Sequence, residues 1–573
     1  MHDIVIRGGR IADGTGSPIT TGDVAIDGDR IVAVGKVDGR GTQEIDADGA
    51  LVAPGWVDIH THYDGQVTWD PEVTPSGHHG VTTAVVGNCG VGFAPVRAHE
   101  REWLIQLMEG VEDIPGTALA DGMTWNWESF PEYLDEVERT DRILDVAAML
   151  PHGALRAFVL GCDRNNDNPT SDEIATMEVI AREAIVAGAV GISTTRTLGH
   201  VAKDGQPAAG TFAPAAELLA MGAAMRGTGR RVFSMASEHT YQPDGAAEAE
   251  FTWMAELSRA NGIPVTYMCM DIPPEYGDWR YALRRGLEAN VDGAWLVPQV
   301  PGKPTCVMVG WESTYHLFSG QAAYQPLVDL SVDERINALR TPEVRDAILG
   351  EPPTLGNPQV ARLHADLTNL YPLGDPPSYE PGPDASVAAL AASQGRNPLE
   401  VAYDLMMGRN GRELLYSPFL GYTLRNLDAL RELLVHPSTV PGLADGGAHV
   451  GFICDGTTPT FMLSHWARDR SRGDLIPLEQ VVHLQTLRTA SLFGFEDRGR
   501  LAPGLLADVN VIDDEHLALG PVEFVYDLPS GAKRLMQKAT GYLTTVKSGR
   551  VVRREDGSTG ELPGRLLRGP VRA

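Results

Sequence analysis

His60 and His62 stand two residues apart at the end of an apolar run, residues 51–59. On an extended strand, positions i and i+2 face the same side. Both imidazoles can therefore converge on one point, as two ligands of one divalent metal ion must. A run this apolar reads as a buried parallel strand. A strand ending in paired histidines sets them at the mouth of a barrel or sheet, where active sites sit. The plainer alternative is a pair of exposed loop histidines with no shared task.

The surrounding elements are those a barrel needs. Residues 81–87 and 143–150 are β-branched or apolar runs. Residues 171–188 place Ile174, Met177, Ile180, Ala181, Ala184 and Ile185 at helical spacing, with Ser171 as the expected N-cap and Glu173 close by. Strands are expected again at 188–193, 230–236 and 263–268. Repeated strand-then-helix units with apolar strands predict an α/β fold, a (β/α)8 TIM-like barrel. The two ends of the chain differ from this centre. Residues 3–11 and 22–35 alternate in β fashion around glycine and Asp-Gly turns, and 507–513 and 544–552 repeat the style. We therefore expect residues 1–54 and 497–573 to build one small β-sandwich domain from both termini. Residues 55–496 would then be the barrel. Residues 271–440 are rich in Pro, Gly and Trp and break the rhythm, which predicts a long insertion over the mouth.

Composition narrows the partners. The 573 residues exceed what one simple core usually holds. Lys plus Arg number 47 against 76 Asp plus Glu, a net charge of -29, which disfavours nucleic acid and anionic membranes. No run approaches the roughly 20 apolar residues of a membrane span, and no signal peptide is recognisable. The five cysteines are scattered and odd in number, so a reducing, cytoplasmic setting is expected. A small-molecule partner is expected, with homo-oligomerisation left open.

Several motifs resemble the amidohydrolase superfamily, and within it the D-aminoacylase branch. Pro54-Gly55 with Asp58, His60 and His62 has the form of the superfamily's first-strand signature. Residues 3–16 resemble its opening strand and turn, and 499–508 its closing signature. The narrower markers are internal. Gly87-Asn88-Cys89-Gly90 is similar to a second-strand segment in which the cysteine ligates metal, and thiolate suits zinc. His152 falls in a segment that resembles one of that branch, where it could touch substrate or be only a hydrogen-bonded strand-end histidine. Arg196, at the end of the fourth-strand segment, is a candidate anchor for a substrate carboxylate or else a structural ion pair. Residues 444–449 are similar to the eighth-strand segment. The resemblance makes Asp445 a metal neighbour and the general base, and sets His449 beside the substrate. A carboxylate there can accept a proton from an attacking water and pass it to the leaving amine. The implied cofactor is Zn2+, as one or two ions, with another divalent metal as the alternative. The implied reaction is hydrolysis of an N-acyl-(D-)amino acid.

Two departures stand out. The branch carries metal-binding histidines at the ends of its fifth and sixth strands. Here Ala236 falls at the first position, followed by Glu238 and His239, and Cys269 at the second. Glu238, His239 or Cys269 could substitute as ligands. Two rival readings remain. A cyclic amidase of the hydantoinase or dihydroorotase type would want a carboxylated lysine on the fourth strand, and residues 191–196 have none. A catalytically silent barrel with a degraded second metal site would explain the missing histidines.

Overall fold

The computed structural model describes residues 1–569 apart from 238, 455 and 556. Its centre is a barrel of eight parallel strands: β1 (Trp56–Asp58), β2 (Val81–Val86), β3 (Asp145–Pro151), β4 (Gly191–Thr195), β5 (Val232–Ala236), β6 (Val265–Met268), β7 (Leu296–Pro301) and β8 (Val440–Gly442). Neighbours from β1 through β7 to β8 are joined by parallel ladders. Among the described residues no ladder joins β8 back to β1. The seam closes just beyond the strand ends. The Asp445 amide donates to the His60 carbonyl at 3.1 Å, and the His62 amide to the Gly446 carbonyl at 2.8 Å. The backbone that closes the barrel thus carries the paired histidines and Asp445.

Strand parity follows from the packing. Phe233 meets Trp253 of the outer helix Gly245–Asn261 with ring centroids 5.9 Å apart. The Tyr267 hydroxyl donates to the Ala282 carbonyl of the helix Trp279–Val291 at 2.9 Å. These side chains face outward. Ser234 and Thr266, bonded to each other at 3.2 Å, therefore face the interior, as do Ala236 and Met268 two residues on. The helix expected at 171–188 runs Ser171–Ala187. Its N-cap is Thr170 rather than Ser171, because only Thr170 stands three residues before Glu173 and can form the reciprocal capping box.

The apolar run at 51–59 divides between two sheets. Leu51–Pro54 joins the terminal sheet, and Trp56–Asp58 starts the barrel. Gly55 turns the chain between them, where a Cβ would come within 2.2 Å of Thr82 Oγ1. The terminal sheet has nine strands from both ends of the chain. Ile31 and Val546, far apart in strand order, share one core with Ile6, Val24 and Val509, so the sheet curls around it. Not all of 497–573 stays in this sheet. Ala518–Val525 and Arg534–Thr540 form a separate ribbon, whose Leu535 amide donates to the Val450 carbonyl at 2.7 Å. Leu566–Leu567 returns to pair with β3. Their Val522, Leu535, Ala539 and Leu566 pack into the barrel core instead.

The insertion begins later than expected. Residues 279–301 supply a barrel helix and β7, and the helix Asp428–Val435 packs Leu430, Leu433 and Leu434 into the barrel core, so the insertion lies between Pro301 and Asp428. It is also more than a loop. Thr305–Val309, Tyr371–Pro372 and Leu415–Leu420 form a three-stranded sheet. Trp311 stacks on Phe318 and Tyr324 at 5.5 and 5.9 Å and meets Tyr403 edge-on at 4.9 Å. This core is separate from that of the barrel. The Pro and Gly content marks its turns, while its aromatic residues make it fold. Among the described residues no helix is long and apolar enough to cross a membrane.

Candidate metal centre

His60 and His62 follow β1 and are each 2% exposed. Their rings lie 5.5 Å apart at 62°. Cys89 comes from the turn after β2 and completes a group whose ligand atoms all lie within 4.8 Å of one another. That turn is tightly held. The Ser193 hydroxyl on β4 donates to the Gly87 carbonyl and accepts from the Gly90 amide at 2.9 Å. The Asn88 amide group donates to the Thr61 and Val85 carbonyls at 3.2 and 2.9 Å. Glycine is needed on both sides of the Asn88-Cys89 pair. A Cβ on Gly87 would stand 2.2 Å from the Met149 carbonyl oxygen, and one on Gly90 2.8 Å from the Thr195 nitrogen. Cys89 itself has φ of 54°, Asp445 45° and His449 51°, left-handed conformations held at a cost of about 1–3 kcal/mol each.

The donor geometry fits a metal ion. Tetrahedral bonds of about 2.0–2.3 Å space the ligand atoms about 3.3–3.7 Å apart. Cys89 Sγ lies 3.3 Å from His60 Nε2. Asp445 Oδ1 lies 3.3 Å from His60 Nε2 and 3.6 Å from His62 Nε2. Asp445 is 17% exposed and His449 21%, so the site opens to solvent on their side. Burial works against ionising Asp445, but the His60 and His62 imidazoles outweigh it and hold its carboxyl well below the usual range. Burial likewise opposes protonation of both histidines. Cys89 and Asp445 beside His60, and Glu112 beside His62, nevertheless raise their pKa values. Asp58 and Asp64 flank the pair, and burial pushes each up to about 7.

The other residues expected at the site fall elsewhere. Cys269 is fully buried but faces outward, with its thiol 3.7 Å from the Trp279 carbonyl. The interior position at that strand end is Met268, and on β5 it is Ala236. His239 is exposed at the start of a short turn, His239–Tyr241. Glu238 lies outside the described residues. Among the described residues, β5 and β6 thus bring no donor to the group. His152 is fully buried, bonded to Thr194 Oγ1 at 2.9 Å and Glu217 Oε1 at 2.8 Å. Both ring nitrogens are engaged away from solvent, so the ring has none left for a substrate. The Arg196 guanidinium is also committed. It meets Glu250 Oε1 at 2.7 Å and the carbonyls of Thr211 and Ala213 at 2.9 and 2.8 Å. These are the contacts of a structural ion pair that ties the loop after β4 to the helix Gly245–Asn261.

Three residues not foreseen from the sequence surround the histidines. Gln299 on β7 places Oε1 2.5 Å from His60 Nδ1. Glu112, the last residue of the helix Arg101–Glu112, places Oε1 3.4 Å from His62 Nδ1 and Oε2 3.5 Å from His449 Nε2. His200 accepts from or donates to Thr195 Oγ1 at 3.0 Å, and burial lowers its pKa to about 4 against the pull of Glu112.

Known proteins match the chain over nearly its whole length. The D-aminoacylase of Alcaligenes xylosoxydans xylosoxydans is 26% identical over 99% of this chain and 97% of its own. A solved D-aminoacylase, described by a binuclear metal centre with one-metal activation and second-metal attenuation, superposes with a TM-score of 0.64. It is 22% identical over 99% of this chain and 100% of its own. The N-acyl-D-glutamate deacylase of Bordetella bronchiseptica, solved with zinc and a phosphonate inhibitor, has the same TM-score at 23% identity, over 99% of this chain and 100% of its own. Both solved proteins share the fold. The amidohydrolase family pattern matches residues 43–553, spanning the barrel and part of the terminal sheet. The chain belongs to the amidohydrolase family and is a hydrolase of amide bonds.

Proposed function

We propose that the chain hydrolyses N-acyl-D-amino acids at a single zinc ion held by His60, His62 and Cys89. One observation carries the reading: the Asp445 carboxylate lies within 3.6 Å of Nε2 of both histidines and is the member of the group most open to solvent. Two imidazoles and a thiolate suit zinc better than a hard cation. When bound, the ion would polarise the amide carbonyl and lower the pKa of a water. Asp445, ionised between two imidazoles, accepts a proton from the attacking water and delivers it to the departing nitrogen. The products are a carboxylate and a free D-amino acid. The D-aminoacylase and N-acyl-D-glutamate deacylase relatives support this substrate class. A cyclic amidase reading is disfavoured because β4 carries Ser193, not a lysine, and Ser193 is already bound to Gly87 and Gly90.

Ala236 and Met268 at the interior ends of β5 and β6 favour a second reading, a barrel that binds but does not turn over. One experiment separates the two. Zinc-loaded protein is assayed on paired N-acetyl-D- and N-acetyl-L-amino acids, then stripped with chelator and reloaded. Hydrolysis of the D series, lost on stripping and restored by zinc, is expected. Stoichiometric zinc with no hydrolysis of any member would leave the silent reading standing.

A further inference from the structure

The two histidines are held differently from behind. In each ring Nε2 faces Cys89 or Asp445, and Nδ1 faces away from them. His60 Nδ1 meets a neutral amide oxygen, Gln299 Oε1 at 2.5 Å. His62 Nδ1 meets a carboxylate, Glu112 Oε1 at 3.4 Å. Neither His62 Nδ1 nor Glu112 Oε1 has a hydrogen-bond partner among the described residues, so each is the other's nearest polar complement. Glu112 is 1% exposed, and no lysine or arginine is paired with it among the described residues. A buried carboxylate without a cation is costly. Its two oxygens are shared instead between His62 and His449.

We propose that Glu112 is a positioning residue for the metal centre. It fixes His62 in the tautomer that presents Nε2 to the ion and makes that nitrogen the more basic of the two imidazole donors. The inference rests on the zinc reading above. A carboxylate behind a ligating histidine raises its basicity, and losing such a partner typically costs about 10–100-fold in metal affinity. The helix end that carries Glu112 is docked independently of the histidine. The His449 amide donates to the Glu112 carbonyl, and Asp113 accepts from the Gly451 amide at 2.9 Å and from Thr314 Oγ1 at 3.1 Å. The Glu112 side chain is therefore free of the docking task and available to the ring.

The test is zinc affinity, measured on metal-free protein by competition with a chromophoric chelator, with no substrate present. Glu112→Gln is nearly isosteric and removes only the charge, and Glu112→Asp keeps the charge on a shorter stem. Asp113→Asn perturbs the same helix end without touching His62. We expect the dissociation constant to rise about 10–100-fold for Glu112→Gln, to rise less for Glu112→Asp, and to hold for Asp113→Asn. Circular dichroism and the melting temperature of the metal-free proteins report folding in parallel. Wild-type affinity in a folded Glu112→Gln protein overturns the inference. So does an equal loss in Asp113→Asn, which would make the role structural. If Glu112→Gln fails to fold, the Glu112→Asp and Asp113→Asn proteins decide by the same comparison. Absence of zinc binding by the wild-type protein would instead overturn the zinc reading itself.

Discussion

At the floor of the barrel, Asp145, Arg498, Lys547, Asp508 and Asp497 are each at most 4% exposed. Arg498 and Lys547 both reach Asp145 Oδ2, at 2.7 and 2.9 Å, and its Oδ1 accepts the Arg565 amide at 2.9 Å. Lys547 also meets Asp508 at 3.0 Å, and Arg498 meets Asp497 at 2.8 Å. None of their side-chain atoms lacks a hydrogen-bond partner. At the mouth, charge is buried too, but His62 Nδ1, Glu112 Oε1, Asp58 Oδ2 and Asp64 Oδ2 have no such partner among the described residues. The floor cluster joins the terminal sheet to β3 and completes its own valences. The mouth cluster instead surrounds a point on which His60, His62 and Cys89 converge, and leaves polar atoms behind them unsatisfied. Burial with opposite satisfaction separates a joint from a site.

Replacing the central aspartate of each cluster should therefore give opposite results. Asp445→Asn is expected to lower kcat by about 10²–10⁴-fold, the usual worth of a general acid–base group, with an unchanged melting temperature. Steady-state kinetics and calorimetry on one preparation check both halves, and near-wild-type kcat would remove Asp445 from the reaction. Asp145→Asn should leave kcat intact at low temperature and lower stability by about 3–5 kcal/mol, because two buried cations lose their shared counter-charge. A melting temperature within a degree of wild type would show that the floor cluster is not a joint.

Acid should act on the floor through the same aspartate. Burial opposes its ionisation, but Lys547 and Arg498 outweigh that and hold the Asp145 carboxyl down to about 2, against 3.8 for the free group. The folded value is depressed, so the contribution is complete above pH 3.8 and is lost as pH falls toward 2. Melting curves of wild type and Asp145→Asn between pH 5 and about 2 should converge as the acid removes the wild-type advantage. Curves that stay parallel would place the acid sensitivity elsewhere.

The barrel was legible because its strands are apolar and their helices amphipathic, and both signals are local. The histidine pair was legible for the same reason, since i and i+2 lie in one short segment. What the sequence hid is non-local. Glu112 ends an ordinary amphipathic helix, and nothing near it marks its carboxylate as facing a histidine 50 residues earlier in the chain. Gln299 did leave a trace, as the one amide in the apolar strand 296–301, but that strand was absorbed into the expected insertion. Cys269 misled because it adjoins the right strand end, although its parity with Tyr267 turns it outward. Arg196 and His152 each allow two readings from sequence, because it shows a charge or an imidazole without showing Glu250 or Glu217, which come from later helices.

Arg196 gives the smallest effect, and the one that best tests whether the mouth cluster extends to the loop after β4. If its guanidinium is held by Glu250 and by the carbonyls of Thr211 and Ala213, Arg196→Lys keeps the charge but loses the fork of donors. The loop 197–213 should then be cut faster by protease, while KM for an N-acetyl-D-amino acid changes by less than about threefold, under 1 kcal/mol of the 1.5–3 kcal/mol that a charged hydrogen bond carries. An anchor for the substrate carboxylate would behave in the opposite way. KM would rise by about 10–100-fold with proteolysis unchanged, and the boundary of the site would have to be redrawn to include β4.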